Sequence, residues 1–132
     1  MKNAVLDSYA VLAFLFKEKG HEMVLALFEK AVEADKKLMI ASPNWAEIRY
    51  MVTRKAGADK WDEVRARLLG LPLDIIDADQ GLAEAAGEIK AFHKMSLADC
   101  FAAALARLKK AEIYTGDPEF KAVEGEQKIV WL

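Results

Sequence analysis

Short runs of apolar residues alternate along the chain with longer stretches whose apolar positions recur at helical spacing. The short runs are Ala4 to Leu6, Leu38 to Ala41, Leu73 to Ile76, Ile113 to Thr115 and Lys128 to Trp131, each of a length that suits a buried strand. Between them, Met23, Val24, Leu27, Phe28 and Ala31 form one apolar helical face, and Trp45, Ile48, Met51 and Val52 form another. Strands alternating with helices are the pattern of βαβ units. The expected fold is α/β: a three-layer α/β/α sandwich with a central parallel sheet of about five strands.

Local signals place the helix ends. Ser42 followed by Pro43 is expected to cap and open a helix running towards Lys55 and Gly57. A shorter helix spans Lys60 to Leu69 and stops at Gly70, and Asp77 or Asp79 caps the next, which carries Leu82, Ala85, Ala86 and Ile89. Ser96-Leu97-Ala98-Asp99 reads as a capping box opening a helix that reaches about Lys110. Its Ala102, Ala103, Ala104 and Ala106 carry little bulk and let it approach a sheet closely. The first helix is apolar round nearly its whole circumference, through Val11, Leu12, Phe14, Leu15 and Phe16, and Leu25 lies off the stripe of the second. That surplus predicts an interface, used for self-association and for a partner laid along the first two helices.

At 132 residues with 54% hydrophobic side chains, the chain suits one domain, residues 1 to 132, with no repeat or linker. Nineteen basic against twenty-one acidic side chains give a net charge of -2, so no global positive field attracts nucleic acid. One local patch does exist. Arg49, Arg54, Lys55, Lys60, Arg65 and Arg67 share a span with only Asp59, Asp62 and Glu63, six against three, a balance of +3. It is either an ordinary solvated face or a phosphate-tracking rim, for which Arg49, Arg54 and Lys55 are the candidates. Cys100 is the only cysteine, which excludes an intramolecular disulfide and fits a reducing cytosol as a small core residue. Asp7 breaks the N-terminal apolar run and Lys17-Glu18-Lys19 follows it, unlike a signal peptide. With no run of about eighteen apolar residues, a cytoplasmic protein without a membrane partner is expected.

In an open parallel sheet, ligands bind outside the carboxyl ends of the strands. Asp7 directly follows the first strand and Asp117 lies two residues past Thr115. Glu47 and Asp99 fall in the opening turns of two helices, which start at that same end of the sheet. All four carboxylates can therefore converge on one rim. Singly, each has a plain structural role open to it: Asp7 as a helix cap, Asp99 as the capping-box acid, Asp117-Pro118 as a turn. Gathered, they repel, since two like charges about 4 Å apart cost about 4 kcal/mol at an effective dielectric near 20. Either some stay protonated or a divalent cation compensates, and oxygen-only ligands favour Mg²⁺ or Mn²⁺.

Val-Leu-Asp-Ser at 5 to 8, Pro-Asn-Trp-Ala-Glu at 43 to 47, Ser-Leu-Ala-Asp at 96 to 99 and Thr-Gly-Asp-Pro-Glu-Phe at 115 to 120 form an ordered set. With it, the chain resembles a PIN-domain ribonuclease, and within that superfamily the VapC-type toxins of toxin–antitoxin pairs. The resemblance runs end to end. It implies a PIN-like fold and a Mg²⁺-dependent endoribonuclease whose catalytic and metal-holding acids are Asp7, Glu47, Asp99 and Asp117, with Thr115 an accessory ligand. It further implies products with a 5′-phosphate and a 3′-hydroxyl, a homodimer and a small antitoxin partner.

Two rival readings remain open from the residues. A phosphate-receiver domain shares the size and fold class; here Asp77 would imitate the phosphoacceptor and Lys128 the pocket lysine, although Asp7-Ser8-Tyr9 lacks the adjacent acid pair. The other is a PIN-type RNA-binding module without catalysis.

Overall fold

The computed structural model describes residues 1–132. In chain order the elements are β1 (Ala4–Leu6), α1 (Ser8–Phe16), α2 (His21–Glu33), β2 (Leu38–Ala41), α3 (Ser42–Ala56), α4 (Ala58–Leu69), β3 (Leu73–Ile76), α5 (Gln80–Phe92), α6 (Leu97–Lys109), β4 (Glu112–Thr115), a 3₁₀ helix (Pro118–Val123) and β5 (Ile129–Trp131). All strand pairs are parallel, in the order β3-β2-β1-β4-β5. The expected sandwich is the observed one.

Alternation along the strands divides two cores. Ala4, Leu6, Leu38, Ile40 and Leu73 face α1 to α4, whereas Val5, Ala41, Ile113 and Ile129 face α5, α6 and the 3₁₀ helix. Ala102, Ala103, Ala104 and Ala106 of α6 are fully buried and bring that helix close to the sheet. Phe120, also fully buried, anchors the segment after β4 to the second core. Burying such a side chain contributes about 1.5–3 kcal/mol and fixes the loop that carries Asp117.

The chain leaves β1 in opposite directions towards β2 and β4, so the strand order reverses between β1 and β4. A crevice opens at such a switch point, outside the carboxyl ends of the strands, where Asp7 and Thr115 stand. The order also separates this fold from a receiver domain, whose third strand adjoins the first. Here β3 is an edge strand, with β2 between it and β1, so Asp77 lies away from Asp7.

Two expectations are corrected. Ser42 does not cap its helix: it is the first helical residue, and its Oγ accepts the Ala78 N–H at 3.0 Å, tying α3 to the loop before α5. Asp79, of the two candidates, caps α5 by accepting the Leu82 N–H. The apolar surplus of α1 is largely internal. Phe14 is buried with its ring 5.2 Å from that of Phe28, and Leu12, Leu15 and Phe16 pack against the same core. Apolar exposure remains on α2, at Met23, Leu25 and Val32.

Candidate metal centre

Asp7 ends β1 and caps α1. Its Oδ1 accepts the Ala10 N–H at 2.9 Å and its Oδ2 accepts the Thr115 hydroxyl at 2.5 Å. The structural and the chemical readings of Asp7 thus hold together, because each carboxylate oxygen keeps a further lone pair. Thr115 Oγ1 in turn accepts the Asp117 N–H at 2.9 Å. Thr115 is fully buried and its hydroxyl is engaged on both sides, which makes it a clamp between Asp7 and Asp117.

Asp117 caps the 3₁₀ helix through Oδ1, which accepts the Glu119 N–H. Pro118 occupies the first helical position, where no N–H is needed. Asp99 sits in the first turn of α6. Ser96 forms its half of the capping box by accepting the Asp99 N–H at 3.2 Å, but no return bond from the Asp99 carboxylate reaches the Ser96 N–H. Asp99 Oδ2 is instead buried with no hydrogen-bond partner.

One carboxylate oxygen each from Asp99, Asp117 and Glu119 lie within 4.8 Å of one another. None of these acids, nor Asp7 or Glu47, takes part in an ion pair. Burial first, and the neighbouring acids after it, raise the two innermost carboxyls. Burial, reinforced by Asp117 and Glu47, pushes Asp7 up to about 7 despite the opposing hydrogen bonds from Thr115 and Ala10. Asp99 is pushed up to about 8 by burial first, then by a hydrogen bond shared with Glu119 and by the Asp117 and Asp7 charges.

Glu47 stands on the α3 side of the same crevice. Its Oε1 accepts the Ser8 hydroxyl at 2.6 Å and its Oε2 accepts the Tyr50 hydroxyl at 3.3 Å. Asn44, one turn earlier and fully buried, donates to the Ala98 carbonyl at 3.1 Å, which fastens the start of α3 to the start of α6 and so sets Glu47 relative to Asp99.

The basic candidates divide. Arg54 lies 4.8 Å above the Tyr50 ring, in line with Glu47 on one face of α3, and borders the crevice. Arg49 comes two residues after Glu47, about 200° round the helix, and leans on Trp61. Lys55 covers the Phe16 ring at 4.2 Å. Of the three, only Arg54 shares the side of α3 that carries Glu47 and Tyr50.

Glu119, Ser8, Asn44 and Tyr50 were not among the expected site residues. Glu119 lies inside the Thr-Gly-Asp-Pro-Glu-Phe run, two residues after Asp117 and next to Phe120, and that position was its one available signal. Cys100 is buried, and its thiol is pushed up by burial, as a small core residue requires.

The PIN domain family model matches residues 4–126. The chain belongs to the PIN domain family. No curated protein matches the sequence closely enough to count as a relative. Among solved structures, this PIN domain superposes on DNA-bound VapBC from Salmonella typhimurium with a TM-score of 0.76 at 18% identity, covering 98% of each chain. A toxin–antitoxin complex from Klebsiella pneumoniae gives 0.69 at 22% identity, covering 97% of this chain and 96% of that one. VapC20 of Mycobacterium tuberculosis, a toxin that cleaves the sarcin–ricin loop, gives 0.69 at 19%, covering 92% and 95%. These likenesses show a shared PIN fold, which in this chain carries an acidic cluster. No helix is long and apolar enough to cross a membrane.

Proposed function

We propose that this PIN domain is a Mg²⁺- or Mn²⁺-dependent endoribonuclease and the toxin of a toxin–antitoxin pair. The observation that carries the reading is the meeting of the Asp99, Asp117 and Glu119 carboxylates within 4.8 Å, beside Asp7, with no cationic side chain paired to any of them. The donor set fits a hard divalent cation: it is all oxygen, and Asp99 Oδ2 is buried and unpartnered. Asp7, Asp99, Asp117 and Glu119 would hold the ion, with Glu47 across the crevice. A bound Mg²⁺ supplies a water made nucleophilic near neutral pH and a counter-charge for the leaving oxygen.

The chain's own residues set the geometry. Thr115 holds Asp7 against Asp117, Ser8 and Tyr50 hold the Glu47 carboxylate, and Asn44 holds α3 to α6. Arg54 gives the incoming phosphates a cation on the rim. The VapBC and VapC20 structures support a nuclease with an antitoxin, since those proteins are a toxin–antitoxin complex and an RNA-cleaving toxin. The exposed Met23 and Leu25 of α2 give such a partner, or a second copy of the chain, an apolar surface.

Hydrolysis of a labelled RNA by the purified protein tests the reading. Fragments with 5′-phosphate ends are expected with Mg²⁺ and none in excess EDTA. Full cleavage in EDTA would overturn it.

A further inference from the structure

One wall of the crevice is not used by the acids. Tyr9, two residues after Asp7, lies with its ring against the Gly116 backbone: a Cβ on Gly116 would stand 2.3 Å from Tyr9 Cε1 and 2.8 Å from Cζ. The backbone of Gly116 has no positive φ, so a side chain at this position is excluded by the ring alone. Gly116 joins Thr115 to Asp117, so the ring is seated directly beside the acid cluster. It is nevertheless 42% exposed, and no cation or second aromatic ring covers it.

The other aromatic side chains near the rim are already occupied. Arg54 covers Tyr50, whose hydroxyl binds Glu47. Trp61 is buried with Trp45 edge-on against it, and the Trp131 indole donates to Glu124. Tyr9 is thus an open aromatic face, held in place by a contact that only glycine permits, next to carboxylates that would grip a phosphodiester through a metal. Unpaired bases stack on such faces irrespective of their identity.

We propose that Tyr9 is the stacking platform for an unpaired RNA base beside the cleaved bond, a positioning residue for the hydrolysis proposed above, on which reading this inference rests. Gly116 is then the seat that keeps the platform at the rim.

The test measures kcat and KM in Mg²⁺ on a mixed-sequence single-stranded oligoribonucleotide, and on versions with one abasic residue next to the cleaved bond. The proteins are wild type, Tyr9→Phe, Tyr9→Ala, Gly116→Ala and the Tyr9→Ala/Gly116→Ala double variant, with melting temperature and Mn²⁺ affinity followed in parallel. Tyr9→Ala is expected to raise KM about tenfold, with Mn²⁺ affinity unchanged, and Tyr9→Phe to behave as wild type. Gly116→Ala should raise KM in the wild-type background and add nothing to Tyr9→Ala. The abasic substrate should cost wild type affinity and cost Tyr9→Ala none. An active Tyr9→Ala enzyme with wild-type KM overturns the inference alone, as does loss of Mn²⁺ binding in that variant, which would make Tyr9 a support of the metal centre. A wild-type protein that cleaves no RNA overturns the nuclease reading and this inference with it.

Discussion

Thr115 Oγ1 donates to Asp7 Oδ2 at 2.5 Å across 108 residues of sequence, and the same oxygen accepts the Asp117 N–H. One buried hydroxyl therefore sets the spacing of two acids from adjacent strands. It also favours the ionised form of Asp7, opposing the burial that raises it. Thr115→Val should lower cleavage by about 10- to 100-fold, the usual cost of losing a group that orients a metal ligand. It should also move the acidic limb of the pH–rate profile to higher pH, because the bond that favoured the carboxylate is gone. Thr115→Ser should restore both; a profile that does not move in Thr115→Val would count against the clamp.

The two raised carboxyls make the metal-free protein sensitive to pH in a defined direction. Their ordinary value is 3.8, against about 7 for Asp7 and about 8 for Asp99 in the fold. Between those limits the folded state holds protons that the unfolded chain has released. Stability should therefore fall as pH rises from about 4 to about 8 and then level off. Asp99→Asn should flatten the upper part of that fall and raise the melting temperature at pH 8, since Asp99 Oδ2 forfeits no hydrogen bond. Asp7→Asn should gain less, because the amide keeps one acceptor oxygen where Thr115 and the Ala10 N–H now have two. Melts in EDTA across this range check both.

The strand ends, and with them Asp7, Glu47, Asp99 and Asp117, were legible because strand periodicity and helix caps place residues at one end of a parallel sheet. Glu119 was not, since an acid after Asp-Pro is indistinguishable in sequence from a turn residue until Phe120 is known to pin that turn. Thr115 was legible as the polar residue that ends the fourth strand, but its bond to Asp7 depends on β1 and β4 being adjacent, which local pattern does not encode. The apolar circumference of α1 was misleading for a related reason. Two of its rings are covered: Phe28 and Arg67 lie on Phe14, and Lys55 lies on Phe16.

That burial changes how an interface must be probed. Phe14→Glu places a charge in the core and should unfold the protein. Leu25→Glu, at a residue 46% exposed, should leave the melting temperature within a few degrees. It should also lower the sedimenting mass from near twice 14.7 kDa towards the monomer, or abolish antitoxin binding. A monomeric wild type that binds no small partner protein would remove α2 as an interface.

The rim geometry makes a distinction within the basic span. Arg54→Gln should reduce the slope of log affinity against log salt on single-stranded RNA by roughly 0.7, the value for one lost phosphate contact. Arg49→Gln, on the opposite side of α3, should leave it unchanged. Equal slopes in all three proteins would assign the whole span to an ordinary solvated face.

The proposed divalent-cation site draws its carboxylates from the end of β1, from α6 and from the 3₁₀ helix. Calorimetric titration of Mn²⁺ into the protein at pH 7, in two buffers of different ionisation enthalpy, tests it most directly. Binding accompanied by proton release is expected, because burial raises Asp7 to about 7 and Asp99 to about 8 without metal, and that binding should be lost in Asp99→Asn. No measurable binding by the wild type, or equal binding by Asp99→Asn, would contradict it.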